Sequence, residues 1–426
     1  MCPPQIRPLE LVPLSDDRYA LRDPFGFSST VALPFEAAML VTMMDGKRSR
    51  GELRQALHKD FSGTLTLSEV EQVVNQLDAG YFLDNDRFEQ HKISVIAAYQ
   101  SLDVRPAAHA GTAYPQDEEL LREQLGEYFV GKEGPGLLPS EGSLTNDYAD
   151  EATLRLCGVM SPHIDFQRGG PTFAWAYDRV VAESQAKVFV ILGTAHTPLQ
   201  SLFSVSRKHF ETPLGIVETD REFVDSLSKR LSLLPTAEET AVMFEDEFPH
   251  RQEHSIEFQA LMLQYVLGGR RDYKIVPILV GSFHPFVINH RSPGGAPAVA
   301  DFVAALRETI GAYGSEVCFV AGVDLAHIGQ QFGDKEPLDK TRLTEQWTDD
   351  QQLLAAACEG DPEAWFIHVA AQQDRNRICG LAPTYTMLEA MRPERGEMLK
   401  YDQAVAQDGS SCVSFASMAF YERAGR

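Results

Sequence analysis

The chain has 426 residues, 44% of them hydrophobic, which is material for one large domain and a smaller one around sizeable cores. A formal net charge of −23 repels nucleic-acid backbones and anionic membranes, so neither is expected as a partner. The opening MCPPQIRPLELVPLSDD lacks a signal-peptide pattern, no run of about 18 apolar residues occurs, and the six cysteines form no C-x-x-C pair; a cytoplasmic protein with reduced thiols and no membrane span is expected.

In chain order, residues 1–98 read as a small, mainly helical unit. DRYALRDP is strand-like, and LPFEAAMLVTMMDGKRS, RGELRQALHKDF and LSEVEQVVNQLDAGYFL carry apolar residues at helical spacing. The Ser68-x-x-Glu71 of TLSEVEQ marks a helix start, and GYFLDNDRFE reads as a short hairpin, giving a winged-helix-like arrangement. With 10 Lys+Arg against 14 Asp+Glu in this stretch, DNA reading is disfavoured and a docking role is expected.

A second unit spans 104–426 and takes shape at HAGTAYPQDEELLREQLGEYF. Residues 131–151, rich in Gly, Ser and acids, read as an exposed loop. Four apolar runs follow, TLRLCGVMSPH, AKVFVILGTAH, YKIVPILVGSFH and SEVCFVAGVDLAH, separated by helical patterns such as REFVDSLSKRL and EHSIEFQALMLQYVLG. Strands alternating with helices predict an α/β fold with a largely parallel sheet flanked by helices.

Each of the four runs ends in a histidine: His163, His196, His284 and His327. Parallel strands bring their carboxyl ends to one edge, where ligands bind in open α/β sheets, so these imidazoles can converge. Singly, a strand-end histidine is ordinarily a hydrogen-bonded structural group and a buried cysteine a small hydrophobe. Imidazole and thiolate together suit iron, zinc or copper, and Cys379 in NRICGLAPT precedes a helical run whose N-terminal amides favour the thiolate. A His, His, Cys set with open positions is the pattern of a catalytic metal site, since structural zinc sites are closed by four protein ligands.

The blocks HAGTAYPQDEELL, SPHIDFQRGG, VILGTAH, EHSIEFQALMLQY, KIVPILVG, VDLAHIGQQFG and ICGLAPT, in that order, resemble the Memo family, called protein B of the AmmeMemoRadiSam system in bacteria. The resemblance covers residues 104–426 and implies the fold of the class III extradiol dioxygenases. It implies His163, His196 and Cys379 as metal ligands, and His254, Glu257, Asp324 and His327 as residues lining the pocket. Of these, His254, Asp324 and His327 are the candidate catalytic residues, His327 for proton transfer with Asp324 as its hydrogen-bond partner. Glu253 and His250 are read as a helix-initial charge and a structural histidine. The family's P-H-A-G-Y reads P-H-I-D-F-Q-R here, so Asp165 adds a ligand, orients an imidazole or pairs with Arg168. The N-terminal unit is similar to small peptide-binding domains that accompany radical-SAM peptide-modifying enzymes.

Three functions are carried forward. The first is a non-haem redox enzyme related to extradiol dioxygenases, with Fe(II) at His163, His196 and Cys379 and with Cu or Zn as alternatives. The resemblance implies as its partners a radical-SAM enzyme and other AmmeMemoRadiSam proteins, and the N-terminal unit suggests a peptide partner. The second is a non-catalytic peptide- or metal-binding scaffold. The third is a zinc-dependent hydrolase with His254 or His327 as general base.

Overall fold

The computed structural model describes residues 3–15, 17–138 and 154–423 and divides the chain into two units, Met1–Leu102 and Asp103–Arg426. In the first, β1 (Glu10–Ser15), β2 (Arg18–Arg22) and β3 (Val31–Pro34) form an antiparallel sheet in that order. Helices Phe35–Thr42, Arg50–Phe61, Leu67–Ala79 and Asp86–Gln100 follow. Leu40, Leu53, Leu57, Val70, Val74 and Leu77 meet in the core, as the helical spacing required. Two helices open on reciprocal caps, Ser49 with Glu52 and Thr66 with Glu69. The second cap lies two residues before the Ser68–Glu71 pair read from sequence, because Thr66 is the extended residue facing the free amides.

The hairpin expected over GYFLDNDRFE does not form. Asn85 accepts a hydrogen bond from Phe88 N at 3.0 Å and starts the Asp86–Gln100 helix, while Leu83 makes only an isolated bridge to Ile6. A short capping side chain followed by a buried aromatic three residues on favours the helix over a turn.

The second unit contains, in chain order, β4 (Val104–Arg105), β5 (Leu154–Ser161), β6 (Val188–Thr194), β7 (Phe203–Val205), β8 (His209–Thr212), β9 (Gly215–Val217), β10 (Lys274–Val280), β11 (Val317–Gly322), β12 (His327–Ile328), β13 (Arg395–Val405) and β14 (Cys412–Arg423). Among the described residues β4, β8 and β9 form a small sheet and the other eight strands a large one. The large sheet is parallel in its centre, β5-β11-β6-β10, and antiparallel outside it, where β14 pairs β5, β13 pairs β14 and β7 pairs β10. The β13–β14 hairpin was not anticipated. Residues 131–138 run as turns, and the remainder of the loop expected to 151 lies outside the described residues.

The central strands are apolar without alternation because both faces are covered. Val190 and Leu192 join one core, with helices Arg221–Leu231, Pro297–Tyr313 and Leu381–Met391; Phe189 and Ile191 join the other, with helices Glu118–Val130, Phe166–Glu183 and His254–Leu267. At roughly 25 cal/mol per Å² of apolar surface removed from water, this two-sided burial is the main force holding the sheet. It fixes the carboxyl ends of β5, β11 and β6 in register: Ser161 pairs Gly322, and Gly322 pairs Gly193.

Candidate metal centre

Three residues stand just past those paired strand ends: His163 after β5, Asp324 after β11 and His196 after β6. Asp324 Oδ1 accepts from the backbone amides of His163 (3.0 Å) and Ile164 (3.2 Å), which locks the β5 turn to the β11 turn. Its Oδ2 lies 3.3 Å from His163 Nδ1, which is buried and has no aligned hydrogen-bond partner.

A fourth element completes the cluster. Helix His254–Leu267 points its N-terminus at the strand ends, and glycines make room for it. A methyl group at Gly193 would lie 2.6 Å from Ser255 Oγ, and one at Gly322 would lie 2.4 Å from the Ser255 carbonyl oxygen. Glu253 caps this helix by accepting from Ser255 N at 3.1 Å. The same carboxylate accepts from His196 N at 2.8 Å and lies 2.9 Å from His196 Nδ1 and 3.3 Å from His254 Nδ1.

The imidazoles of His163, His196 and His254 are thus gathered with ring centroids 4.7–5.0 Å apart. Their donor atoms lie within 4.8 Å of one another, the only such group of three or more His, Cys, Asp or Glu among the described residues. Each Nδ1 has a carboxylate oxygen within 3.3 Å, the arrangement by which outer carboxylates orient metal-binding histidines. His163 is 3% exposed, whereas His196 is 41% and His254 30% exposed, so the cluster is closed on one side and open on the other.

Cys379 approaches through one member, its Sγ 3.2 Å from His163 Nε2 and 3.4 Å from the Asp324 carbonyl oxygen. The loop before it holds three non-glycine residues in the left-handed region, Gln373, Asp374 and Arg377, at φ 54°, 50° and 54°. Hydrogen bonds hold it there: Asp374 Oδ1 accepts from Ile378 N (2.8 Å), and Arg377 Nη1 donates to the His327 carbonyl (2.9 Å). A cleft of about 320 Å³ lies beside the cluster, lined by His196, Phe283, His284, Asp374, Arg377 and Cys379.

Burial, with the neighbouring His196 and His254, keeps His163 neutral well below the usual histidine range, and burial takes His254 to about 4. At His196 burial is outweighed by the Glu253 carboxylate, and the pKa rises. At Glu253 burial is outweighed by His196 and His254, which hold it below the ordinary carboxylate range. Burial lifts Asp324 to about 7, partly offset by the amides of His163 and Ile164. Burial and then Asp324 push the Cys379 thiol well up, contrary to the thiolate expected from a helix end; the helix begins only at Leu381.

Of the residues singled out from sequence, His163, His196, His254, Asp324 and Cys379 come together. His327 does not pair with Asp324: its Nδ1 lies 3.3 Å from the Leu325 carbonyl oxygen, and burial lowers its pKa to about 4. The Asp324 carboxylate is taken up by the His163 turn instead. Glu257 is fully buried away from the cluster, 2.5 Å from Arg105 Nη1, accepting from Ala108 N, His109 N and the Tyr114 hydroxyl. His284 is an exposed wall of the cleft. His250 is structural, its Nε2 at 3.1 Å from the Ser204 carbonyl oxygen. Asp165 caps helix Phe166–Glu183 and pairs with Arg168 at 2.6 Å. Sequence reasoning missed Glu253, although an acid directly before a histidine at a helix start is the available signal.

The fold and the cluster define an α/β protein with a candidate metal centre at the carboxyl edge of its parallel strands. The chain belongs to the Memo-like protein family, whose model matches residues 105–419. It is 25% identical over 421 residues to a MEMO1 family protein of Aquifex aeolicus, covering 98% of this chain and 100% of the relative. A MEMO1 family protein of Methanopyrus kandleri is 32% identical over 324 residues, 74% of this chain and 98% of the relative. One of Aeropyrum pernix is 32% identical over 292 residues, 68% of this chain and 89% of the relative. The Aquifex alignment therefore extends across the N-terminal unit, while nearly the whole Methanopyrus protein is used up by a match of Memo-unit size. Among the described residues no helix is long and apolar enough to cross a membrane.

Proposed function

We propose that this chain binds iron(II) at His163, His196 and Cys379 and acts as a non-haem redox enzyme related to the extradiol dioxygenases, with copper or zinc as alternative ions. The observation that carries the reading is the 3.2 Å between Cys379 Sγ and His163 Nε2. Metal bonds of about 2.3 Å to sulfur and 2.0–2.1 Å to nitrogen, meeting between a right angle and the tetrahedral angle, separate the two donors by about 3.1–3.6 Å. The buried neutral imidazole of His163, with Cys379 Sγ at its Nε2 and Asp324 on its Nδ1 side, fits a site built for a cation. Iron(II) would supply a one-electron couple and a Lewis acid there.

In this reading His254 and His327 are neutral proton acceptors at pH 7, and Asp324 holds His163. The raised thiol pKa of Cys379 means that metal uptake releases a proton. The cleft beside His196 and Cys379 admits a small substrate. The N-terminal unit docks a peptide partner, and the protein works in the cytoplasm with a radical-SAM enzyme and other AmmeMemoRadiSam proteins; free Cys157, Cys318, Cys358, Cys379 and Cys412 support a reducing compartment.

The grouping of His163, His196 and His254 favours a second reading, a three-imidazole centre with Cys379 beside it. Elemental analysis after anaerobic purification separates the two. Loss of metal in Cys379→Ser supports the first; full occupancy in Cys379→Ser with loss in His254→Ala replaces it with the second. No metal in the unaltered protein after iron reconstitution leaves the scaffold function in place of both.

A further inference from the structure

Glu253 has no assigned part in the centre, yet it touches more of it than any other carboxylate. It is 5% exposed, and its two oxygens lie within 3.3 Å of four nitrogens from three residues. Oε2 takes the His196 amide at 2.8 Å. Oε1 takes the Ser255 amide at 3.1 Å and faces the Nδ1 atoms of His196 and His254 at 2.9 and 3.3 Å. The two rings lie 4.7 Å apart and stack at an inclination of 24°.

A carboxylate is acceptor-only, so an imidazole nitrogen facing it carries the proton and the opposite nitrogen keeps its lone pair. One oxygen facing two imidazoles imposes that tautomer on both. We infer that Glu253 is the positioning residue of the metal centre: it holds His196 in the Nδ1–H form, which leaves His196 Nε2 as a donor for the cation, and it holds the His254 ring beside it as the neighbouring proton acceptor. The inference rests on the reading of this cluster as a metal site and extends it from the ligands to the residue that orients His196 and, beside it, His254. Glu253 lies at a helix start, on a different element from β6 and its His196, so the cap also ties the helix to the strand end. Ser255 Oγ donates to the Thr194 carbonyl at 2.8 Å and repeats that tie one residue later. Helix placement therefore survives a change at Glu253, while ring orientation does not.

The test uses the full chain and cobalt(II) as the probe, read by its visible absorption and by competition with a chromophoric chelator. Glu253→Gln keeps an oxygen for the Ser255 amide and removes the charge. Glu253→Asp keeps the charge and a preferred helix cap but is one methylene too short to reach both rings. Both variants are expected to hold the thermal midpoint of the metal-free protein, to bind cobalt(II) about 10–100-fold more weakly, and to show an altered cobalt(II) band. A folded variant of either kind with unchanged affinity and an unchanged band overturns the inference. If Glu253→Gln does not fold, Glu253→Asp decides alone. If the unaltered chain binds cobalt(II) no more tightly than a chain carrying both His163→Ala and His196→Ala, the metal reading fails and takes the inference with it; a clear difference between those two with no effect at Glu253 defeats the inference only.

Discussion

His163 and Asp324 each stand two residues beyond a register pair, Ser161 and Gly322, and that equal overhang brings Asp324 Oδ1 to 3.0 Å from the His163 amide. Strand pairing sets the backbone separation, and the Asp324 side chain then closes the contact. It places a carboxylate against the least exposed imidazole of the cluster.

His196→Ala is expected to lose most of its metal with the fold intact. The imidazole is 41% exposed and lies outside both cores, so its removal leaves no cavity. Elemental analysis and circular dichroism of the same sample check both halves; retained metal with native structure counts against the site.

Gly322→Ala is expected to destabilise the protein by about 1–3 kcal/mol, the usual range for forcing extra volume into a packed interior. The added methyl would sit 2.4 Å from the Ser255 carbonyl oxygen, so the helix start carrying Glu253 and His254 must move. Urea unfolding of the metal-free protein gives the stability, and metal uptake should fall with it.

Asp350 predicts a pH dependence away from the metal. It is fully buried between Gln346 and Tyr401, and burial lifts its pKa to about 6 despite the hydrogen bonds it accepts. A folded pKa above the unfolded one stabilises the protein below about pH 4, and that contribution is lost as pH rises to about 6. Asp350→Asn removes the titration. Between pH 4.5 and 7.5 the stability of the variant relative to the unaltered protein should rise by about 1–3 kcal/mol, read from urea midpoints. A constant difference across that range is the contrary result.

Residues 103–426 alone are expected to fold and to bind metal as the whole chain does. Contacts divide the chain after Leu102, and the Methanopyrus relative matches over 98% of its length with 324 residues, too few to include a second unit of this size. An insoluble or metal-free fragment shows that the units share structure.

The central sheet was legible because burial on both faces writes a strand as an unbroken apolar run, and β5, β6, β10 and β11 all carry one. The β13–β14 hairpin was not, since β13 is half-exposed and its GEMLKYDQAV has no clean alternation. At the site, strand-end position identified His163 and His196, thiolate chemistry before a helical run added Cys379, and family resemblance added His254. The partner of Asp324 was misread: a spacing of three suggested His327, but the chain turns between them and the carboxylate reaches across to β5. Glu253 was passed over because a helix-initial acid has an ordinary explanation, which is true of it and incomplete.

Gly193 and Gly322 face each other across β6 and β11, so the helix start rests in a notch cut through two neighbouring strands. The position of the helix start is therefore a backbone dimension, on which the side chains of the centre are then oriented. This makes the helix a lever with one fixed end. A single carbon added at the notch displaces the helix start and with it the two imidazoles that Glu253 faces. Substitution should accordingly be tolerated very unevenly along these fourteen residues, with the tightest restriction at positions that carry no chemistry of their own.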